Sequence, residues 1–190
     1  RPLAVVMADL DLLRNVNNTY GHLAGDAVLV GIGKIIRESV REYDLPARFG
    51  GEEFSIVLLE ANAEDARSFA ERVRRTIEST EFITPTDHKP IHVTMSFGVA
   101  GFPADASTTT ELIQLADVAV YQAKQNGRNR VVCVSDVPHA ASVEHSDRLS
   151  PAIPTADVSQ PARSNEGAGP AKAATAAAPT AQAEEGVSRP

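Results

Sequence analysis

The sequence predicts an α/β domain in which a sheet is layered against helices. Short apolar runs typical of buried strands alternate with longer segments whose apolar residues recur at helical spacing. This alternation covers residues 1–135. From residue 136 to residue 190 the composition shifts to Ala, Pro, Ser and Thr, with almost no large apolar side chains. We therefore predict one domain over residues 1–135 and a disordered tail over residues 136–190, which lacks the apolar surface to offset its ordering entropy.

The first half of the domain begins with a strand and a helix. Residues 3–7 form an apolar run that ends in Asp9 and Asp11, and residues 23–40 carry apolar positions at helical spacing. A hairpin follows over residues 48–54, where we expect Gly50 and Gly51 to take the positive φ angles of a two-residue turn. Residues 54–59 then form a buried strand.

The second half repeats the alternation. Residues 63–79 are predicted to form a helix, whose inner face carries Phe69, Ala70, Val73 and Ile77. A long strand over residues 91–102, a last helix over residues 112–125 and a closing strand over residues 130–134 complete the domain.

Composition restricts the possible functions. The formal net charge is −7 and no basic stripe with interleaved aromatics is present, which argues against nucleic-acid binding. The single cysteine, Cys133, lies in an apolar strand pattern and is expected in the core. No transmembrane run or signal peptide is visible, so we expect a cytoplasmic chain without a membrane segment. Because Arg1 leads directly into the first strand, we expect a fragment, such as the cytoplasmic part of a larger sensor.

Four carboxylates stand at the ends of neighbouring predicted elements. Asp9 and Asp11 fall on one face because strand side chains repeat with period two, and Glu52 and Glu53 follow the glycines of the hairpin. Carboxylate oxygens are what Mg²⁺ binds, with substrate phosphates and water completing its octahedron. Such a site suits nucleotidyl transfer. Taken alone, the hairpin acids are equally compatible with a solvated turn, and Asp11 with a cap on the segment that follows.

Several motifs then occur in a fixed order. They are Asn17, Tyr20-Gly21-His22, Gly25-Asp26, Gly50-Gly51-Glu52-Glu53-Phe54, Tyr121-Gln122-Ala123-Lys124 and Gly127-Arg128-Asn129. Over residues 3–134 the chain resembles the GGDEF-type diguanylate cyclases in their GGEEF variant. The resemblance implies condensation of two GTP molecules, one on each of two facing domains of a homodimer, into cyclic di-GMP and pyrophosphate. It also implies an α+β sandwich whose central sheet is mostly antiparallel and flanked by helices, similar to nucleotidyl cyclases and the polymerase palm.

The resemblance assigns roles to individual residues. Asp9, the carbonyl of Leu10, Glu52 and Glu53 would bind Mg²⁺ or Mn²⁺, and Glu52 would also be the catalytic base. Arg14 stands where the family has a lysine, and Leu13 stands where it has an aromatic. Arginine keeps the positive charge in a planar fork, so we expect Arg14 to assist catalysis by contacting phosphate.

The remaining substrate contacts follow in the same way. Asn17 and Asp26 would bind the guanine edge, with Asp26 as a buried acceptor that disfavours adenine. His22 and Leu13 would line the same site. Lys124 and Arg128, one helical turn apart, would hold the β- and γ-phosphates. Without the resemblance, those two cations are equally compatible with a solvated helix end.

A second site is predicted just before the hairpin. Arg41 and Asp44 match the family's inhibitory RxxD motif, and Arg72 stands where a secondary arginine of that site occurs. Arginine can bind guanine or phosphate bidentately, so the motif suggests feedback inhibition by cyclic di-GMP. Arg-x-x-Asp alone is compatible with an exposed helix face.

Two classes of function therefore remain open. The first is an active, Mg²⁺-dependent diguanylate cyclase, and the second is a regulatory module that binds GTP or cyclic di-GMP without catalysis. Retention of the metal and guanine positions favours the enzyme. A cyclase that makes a mixed guanine and adenine product is disfavoured by Asp26.

Overall fold

The computed structural model describes residues 1–137. The predicted tail from residue 138 onward lies outside the described residues. The helices are α1 (Leu13–Tyr20), α2 (His22–Ser39), α3 (Ala63–Ser79) and α4 (Thr109–Gln125). The strands are β1 (Leu3–Leu10), β2 (Leu45–Arg48), β3 (Glu53–Leu59), β4 (Phe82–Ile83), β5 (Pro90–Ile91), β6 (Met95–Phe102) and β7 (Val131–Cys133).

Five strands form one mixed sheet in the order β2-β3-β1-β6-β7. The central strand β1 pairs antiparallel with β3 on one side and with β6 on the other, and only β7 joins in parallel. Helices cover the sheet on both faces. The prediction of an α/β sandwich with a mostly antiparallel sheet is therefore confirmed.

Alternation along β1 divides the core into two layers. Ala4, Val6, Ala8 and Leu10 are buried together with residues of α2 and α3. Val5 and Met7 point to the other face and pack with apolar residues of α4. Because Asp9 follows Met7 by two positions, the same alternation directs its carboxylate to the α4 side.

Helix α1 and the residue 91–102 segment differ from the sequence-based prediction. Helix α1 was not predicted; it is 8 residues long, and only Leu13 and Val16 of it are buried. The strand predicted over residues 91–102 is divided: Pro90–Ile91 pairs with β4 in a separate two-stranded sheet, and β6 begins at Met95. The interruption allows the Thr94 carbonyl to accept the amide of Asp11 at 2.9 Å.

The hairpin also differs from its prediction. Among residues 1–137, the glycines with positive φ are Gly21 and Gly127, so Gly50 and Gly51 do not form the expected two-residue turn. The turn is instead closed by the Phe49 amide, which donates to the Glu53 carbonyl at 2.8 Å. A Cβ added at Gly50 would lie 2.5 Å from Glu53 Oε2, so a larger residue there would require the Glu53 carboxylate to move.

Helix α3 has its predicted bounds, and its four predicted inner residues are buried. It begins with a capping box in which the Asn62 side chain accepts amide hydrogens of Glu64 and Asp65. Cys133 is buried as expected, and burial raises the pKa of its thiol to about 11.

The predicted domain boundary at residue 135 lies within a short 3-10 turn, Val134–Asp136. Asp136 is paired with Arg67 of α3, which holds this turn against the domain. Within residues 1–137, none of the helices has both the length and the apolar character needed to span a membrane.

Candidate active site

Two neighbouring strands bring acidic side chains together at one end of the sheet. Asp9 on β1 and Glu53 on β3 are directly opposed in the antiparallel register. Side chains opposed in this way share a face, here the face covered by α4. They line a cavity of about 200 Å³ together with Asp117, Tyr121 and Lys124 of α4.

Asp9 is the most buried acid of this cavity, at 5% exposure. Its Oδ2 accepts the ammonium of Lys124 at 2.6 Å, whereas its Oδ1 is buried without a hydrogen-bond partner. Burial is the main cause that raises the pKa of Asp9, and nearby Glu53 and Asp11 add to it, although Lys124 opposes the shift. An unsatisfied buried carboxylate oxygen is costly, so the site favours a further cation or donor.

Glu52 stands on the loop next to this pair. Its carbonyl accepts the amide of Leu10 at 3.1 Å, which ties the hairpin to the end of β1. Partial burial raises the pKa of Glu52, and the charge of Asp9 raises it further against the effect of Lys124. A carboxylate with a raised pKa is suited to accept a proton near neutral pH.

The donors present fit a divalent cation in chemical type. Asp9 has an unsatisfied oxygen, Glu53 shares its face, and Glu52 and the Leu10 main chain lie beside them. In the part of the chain that the structure describes, no three His, Cys, Asp or Glu side chains are arranged to hold a metal by themselves. Mg²⁺ normally takes one or two protein carboxylates together with substrate phosphates.

Asn17 lies on α1, close to the start of α2. Its Oδ1 is buried without a hydrogen-bond partner. A Cβ added at Gly25 would lie 1.9 Å from this oxygen, so only glycine leaves room for the amide. The Gly25-Asp26 motif therefore has a packing reason as well as a predicted binding role.

The structure changes the interpretation of two predicted contacts. Asp26 is exposed, so it is not the buried acceptor that we expected; the first turns of α2 leave it facing solvent. The Leu13 side chain packs in the core, which leaves only its main chain to meet a substrate. Arg14 and His22 are exposed, on α1 and at the start of α2.

The predicted spacing of the two phosphate-binding cations is also wrong. Lys124 is in the last turn of α4, but the helix ends at Gln125. Arg128 lies beyond the helix end, where Gly127 and Arg128 have positive φ angles of 107° and 63°. Lys124 reaches Asp9, whereas Arg128 is exposed in the following turn.

Asp11 caps no helix, and sequence reasoning missed its partners. It is 6% exposed and accepts the hydroxyls of Thr94 and Ser96, each at 2.7 Å. It also accepts the main-chain amide of Asn129 at 3.1 Å. The signal available in the sequence was the polar pair Thr94 and Ser96, placed at alternate positions around the start of an otherwise apolar strand.

The predicted inhibitory residues are brought together on another side of the domain. Arg41, Asp44 and Arg72 line a cavity of about 230 Å³. Arg41 and Asp44 lie in the turn after α2, not on a helix face. Arg41 extends over the Tyr43 ring, and Arg72 lies over the ring of Phe69.

The profile of the family described as "Diguanylate cyclase, GGDEF domain" matches residues 1–130. The chain belongs to the GGDEF family. This GGDEF domain is 43% identical over 129 residues to diguanylate cyclase A of Treponema denticola, which covers 68% of this chain and 34% of that protein. It is 37% identical over 131 residues to the response regulator PleD of Caulobacter vibrioides, and the match covers 69% of this chain and 29% of that protein. The chain thus spans about a third of the length of these curated relatives.

Solved structures agree with the family assignment. The GGDEF domain of DgcB from Caulobacter crescentus, in complex with c-di-GMP, has a TM-score of 0.67 and 26% identity, covering 71% of this chain and 79% of that one. The active GGEEF domain of a diguanylate cyclase from Vibrio cholerae has a TM-score of 0.64 and 30% identity, and the match covers 70% of this chain and 83% of that one.

Proposed function

We propose that this GGDEF domain is a diguanylate cyclase that condenses two GTP molecules into cyclic di-GMP with release of pyrophosphate. The observation that carries the proposal is the acidic cavity itself, in which Asp9 has one oxygen on Lys124 and one without a partner, with Glu53 opposite. The relatives described as diguanylate cyclases support the same activity.

The acids would hold a divalent cation shared with the substrate. Asp9, the Leu10 carbonyl, Glu52 and Glu53 are the proposed ligands of Mg²⁺, or of Mn²⁺ in its place. When bound, the metal would neutralise the triphosphate and lower the pKa of the attacking 3′-hydroxyl. Glu52, whose pKa is already raised, would accept the proton of that hydroxyl.

Cationic side chains would bind the triphosphate. Lys124 pairs with Asp9 in the structure, and its flexible stem would let the ammonium reach the β- and γ-phosphates of a bound substrate. Arg128 would add a second contact from the turn after α4. Arg14, exposed on α1, would bind phosphate as a planar fork.

The nucleobase would be recognised at α1 and α2. The unsatisfied Oδ1 of Asn17 offers a buried acceptor, and Asp26 would close over the ring N–H and exocyclic amine of guanine. His22 and the main chain of Leu13 would border this pocket. An acceptor left unpaired by adenine gives the preference for GTP.

Two further features belong to the proposal. One domain binds one GTP, so condensation requires a homodimer in which two sites face each other. Cyclic di-GMP would also bind Arg41, Asp44 and Arg72 and reduce activity. The binding of c-di-GMP by the DgcB domain supports product binding by this fold.

Product analysis tests the activity. The purified chain is incubated with GTP and Mg²⁺ at high protein concentration, and products are separated and identified by mass spectrometry. Cyclic di-GMP is expected from the native chain and from the exposed control Glu81→Ala, but not from Glu52→Ala.

Two outcomes would change the conclusion. GTP binding without product, even after fusion to a dimerising domain, would establish a regulatory module instead of an enzyme. Product from Glu52→Ala at the native rate would remove Glu52 as the base. Loss of inhibition in Arg41→Ala, with the uninhibited rate kept, is the expected result for the feedback site.

A further inference from the structure

The turn after α4 has an unusual backbone. Gly127, Arg128 and Asn129 have successive φ angles of 107°, 63° and 47°. Glycine adopts positive φ freely and asparagine tolerates it, but arginine does so only at a cost. The conformation of Arg128 must therefore be stabilised by its surroundings.

Hydrogen bonds hold the main chain on both sides of Arg128. The Arg128 amide donates to the carbonyl of Ala123 at 2.9 Å, which fixes the turn to α4. The Asn129 amide donates to Oδ2 of buried Asp11 at 3.1 Å. Asp11 is itself fixed by the hydroxyls of Thr94 and Ser96.

The side chain of Asn129 makes a second connection, to α3. Its Oδ1 accepts from Arg74 at 2.7 Å, and its Nδ2 donates to Glu78 at 2.6 Å. Arg74 is only 12% exposed and forms two hydrogen bonds with Glu71, at 2.8 and 2.9 Å. Asn129 thus joins the turn to Asp11, just after β1, through its amide and to α3 through its side chain.

We propose that Asn129 is a positioning residue that acts through Arg128, and that Asp11 and Arg74 are its two anchors. The inference rests on the proposed function, in which Arg128 binds the β- and γ-phosphates. The Arg128 side chain is exposed, so the direction of its guanidinium depends on a backbone that Asn129 holds in place. A preorganised cation binds phosphate with less loss of entropy than a mobile one.

This assignment also gives Asp11 a role different from that of Asp9. Both oxygens of Asp11 are engaged by donors, whereas Asp9 retains a free oxygen. The first acid of the Asp-x-Asp pair faces the cavity. The second fixes the turn that carries Arg128.

Calorimetric titration with Mg²⁺·GTP and with GMP tests the inference, because GMP lacks the phosphates that Arg128 would hold. Asn129→Ala is expected to weaken GTP binding about tenfold, the scale of one lost charge-assisted contact, and to leave GMP binding unchanged. In the Arg128→Ala background, Asn129→Ala is expected to add no further loss. An equal loss for GTP and GMP, or an additive loss in the double variant, would overturn the inference.

Further variants separate positioning from folding. Asn129→Gly permits the same backbone conformation and keeps the hydrogen bond from the main-chain amide to Asp11. It replaces Asn129→Ala if that variant does not fold, and it is expected to lose affinity for GTP but not for GMP. Arg74→Lys is expected to reproduce that loss, whereas Arg75→Ala, which removes another partner of Glu71 without touching Asn129, leaves GTP affinity unchanged. Native GTP affinity in Asn129→Gly would refute the role of Asn129.

Variants of Arg128 and of Asn129 distinguish a failure of the proposed phosphate role from a failure of the positioning role. If Arg128→Ala binds GTP like the native chain, the phosphate role proposed for Arg128 is wrong and the inference falls with it. If Arg128→Ala weakens GTP binding but the Asn129 variants do not, only the inference is wrong.

Discussion

Removal of the Asp44 carboxylate is expected to destabilise the domain in the absence of any ligand. Asp44 is 6% exposed, its Oδ1 accepts the amide of Leu59 at 3.2 Å, and its Oδ2 accepts the amide of Arg41 at 3.0 Å. A hydrogen bond to a charged group contributes about 1.5–3 kcal/mol. Because water can replace Asp44 at the exposed Arg41 turn but less easily at Leu59, we expect Asp44→Ala to lower the free energy of unfolding by about 2–4 kcal/mol.

Urea unfolding followed by circular dichroism measures this loss. Asp44→Asn keeps one carbonyl acceptor and should lose about half as much. Arg41→Ala, which removes only an exposed side chain, should leave the midpoint unchanged. An Asp44→Ala variant as stable as the native chain, with the same denaturant slope, would refute the anchoring role. If the loss is found, inhibition assays should rely on Arg41→Ala, because Asp44→Ala would change the fold and the site together.

Further predictions concern a catalytic acid, a helix glycine and the buried thiol. Because folding raises the pKa of Glu52, its carboxyl group binds a proton more tightly in the folded state than in the unfolded state. The stability of the domain therefore falls as the pH rises above the ordinary glutamate pKa. Glu52→Gln should therefore raise the Tm at neutral pH, and the gain should vanish in acid; an equal Tm at pH 7 would contradict this. Gly33→Ala should stabilise the domain by about 0.5–1 kcal/mol in urea unfolding, since the new Cβ meets only the Phe54 ring, at 3.9 Å. Gly31→Ala should give no such gain, because its Cβ would lie 2.8 Å from the Phe82 ring. Cys133 should react with a thiol reagent only after unfolding, since burial raises its pKa to about 11; rapid labelling of the native chain would show that the strand opens.

Elements with a long and regular apolar period could be predicted from the sequence. Helix α3 has its predicted bounds, and β1 and β3 lie where continuous apolar runs placed them. The short helix α1 escaped prediction because it begins after Leu12, which has a φ of 60° and no side-chain cap. The division of the residue 91–102 segment depends on pairing with β4 and on contact with Asp11, neither of which a local pattern reveals.

Only part of the candidate site could be predicted from the sequence, for the same reason. The opposition of Asp9 and Glu53 follows from strand pairing and could be anticipated, whereas the ion pair of Asp9 with Lys124 depends on the packing of α4. The exposure of Asp26 depends on which face of α2 packs in the core, and the position of Arg128 depends on the turn after α4. Turn conformation is set by contacts remote in sequence, so residue type alone did not settle it.

The register between β1 and β3 makes these two strands less tolerant of added residues than the turn between β4 and β5. Seven consecutive pairs connect them, from Leu3 with Leu59 to Asp9 with Glu53. One residue inserted within β3 would move Glu53 to the opposite face and turn Phe54 out of the core, because side chains alternate. An insertion in the turn between β4 and β5 shifts no catalytic side chain. Length variation among functional copies of this domain should therefore accumulate in that turn and be absent from the paired strands.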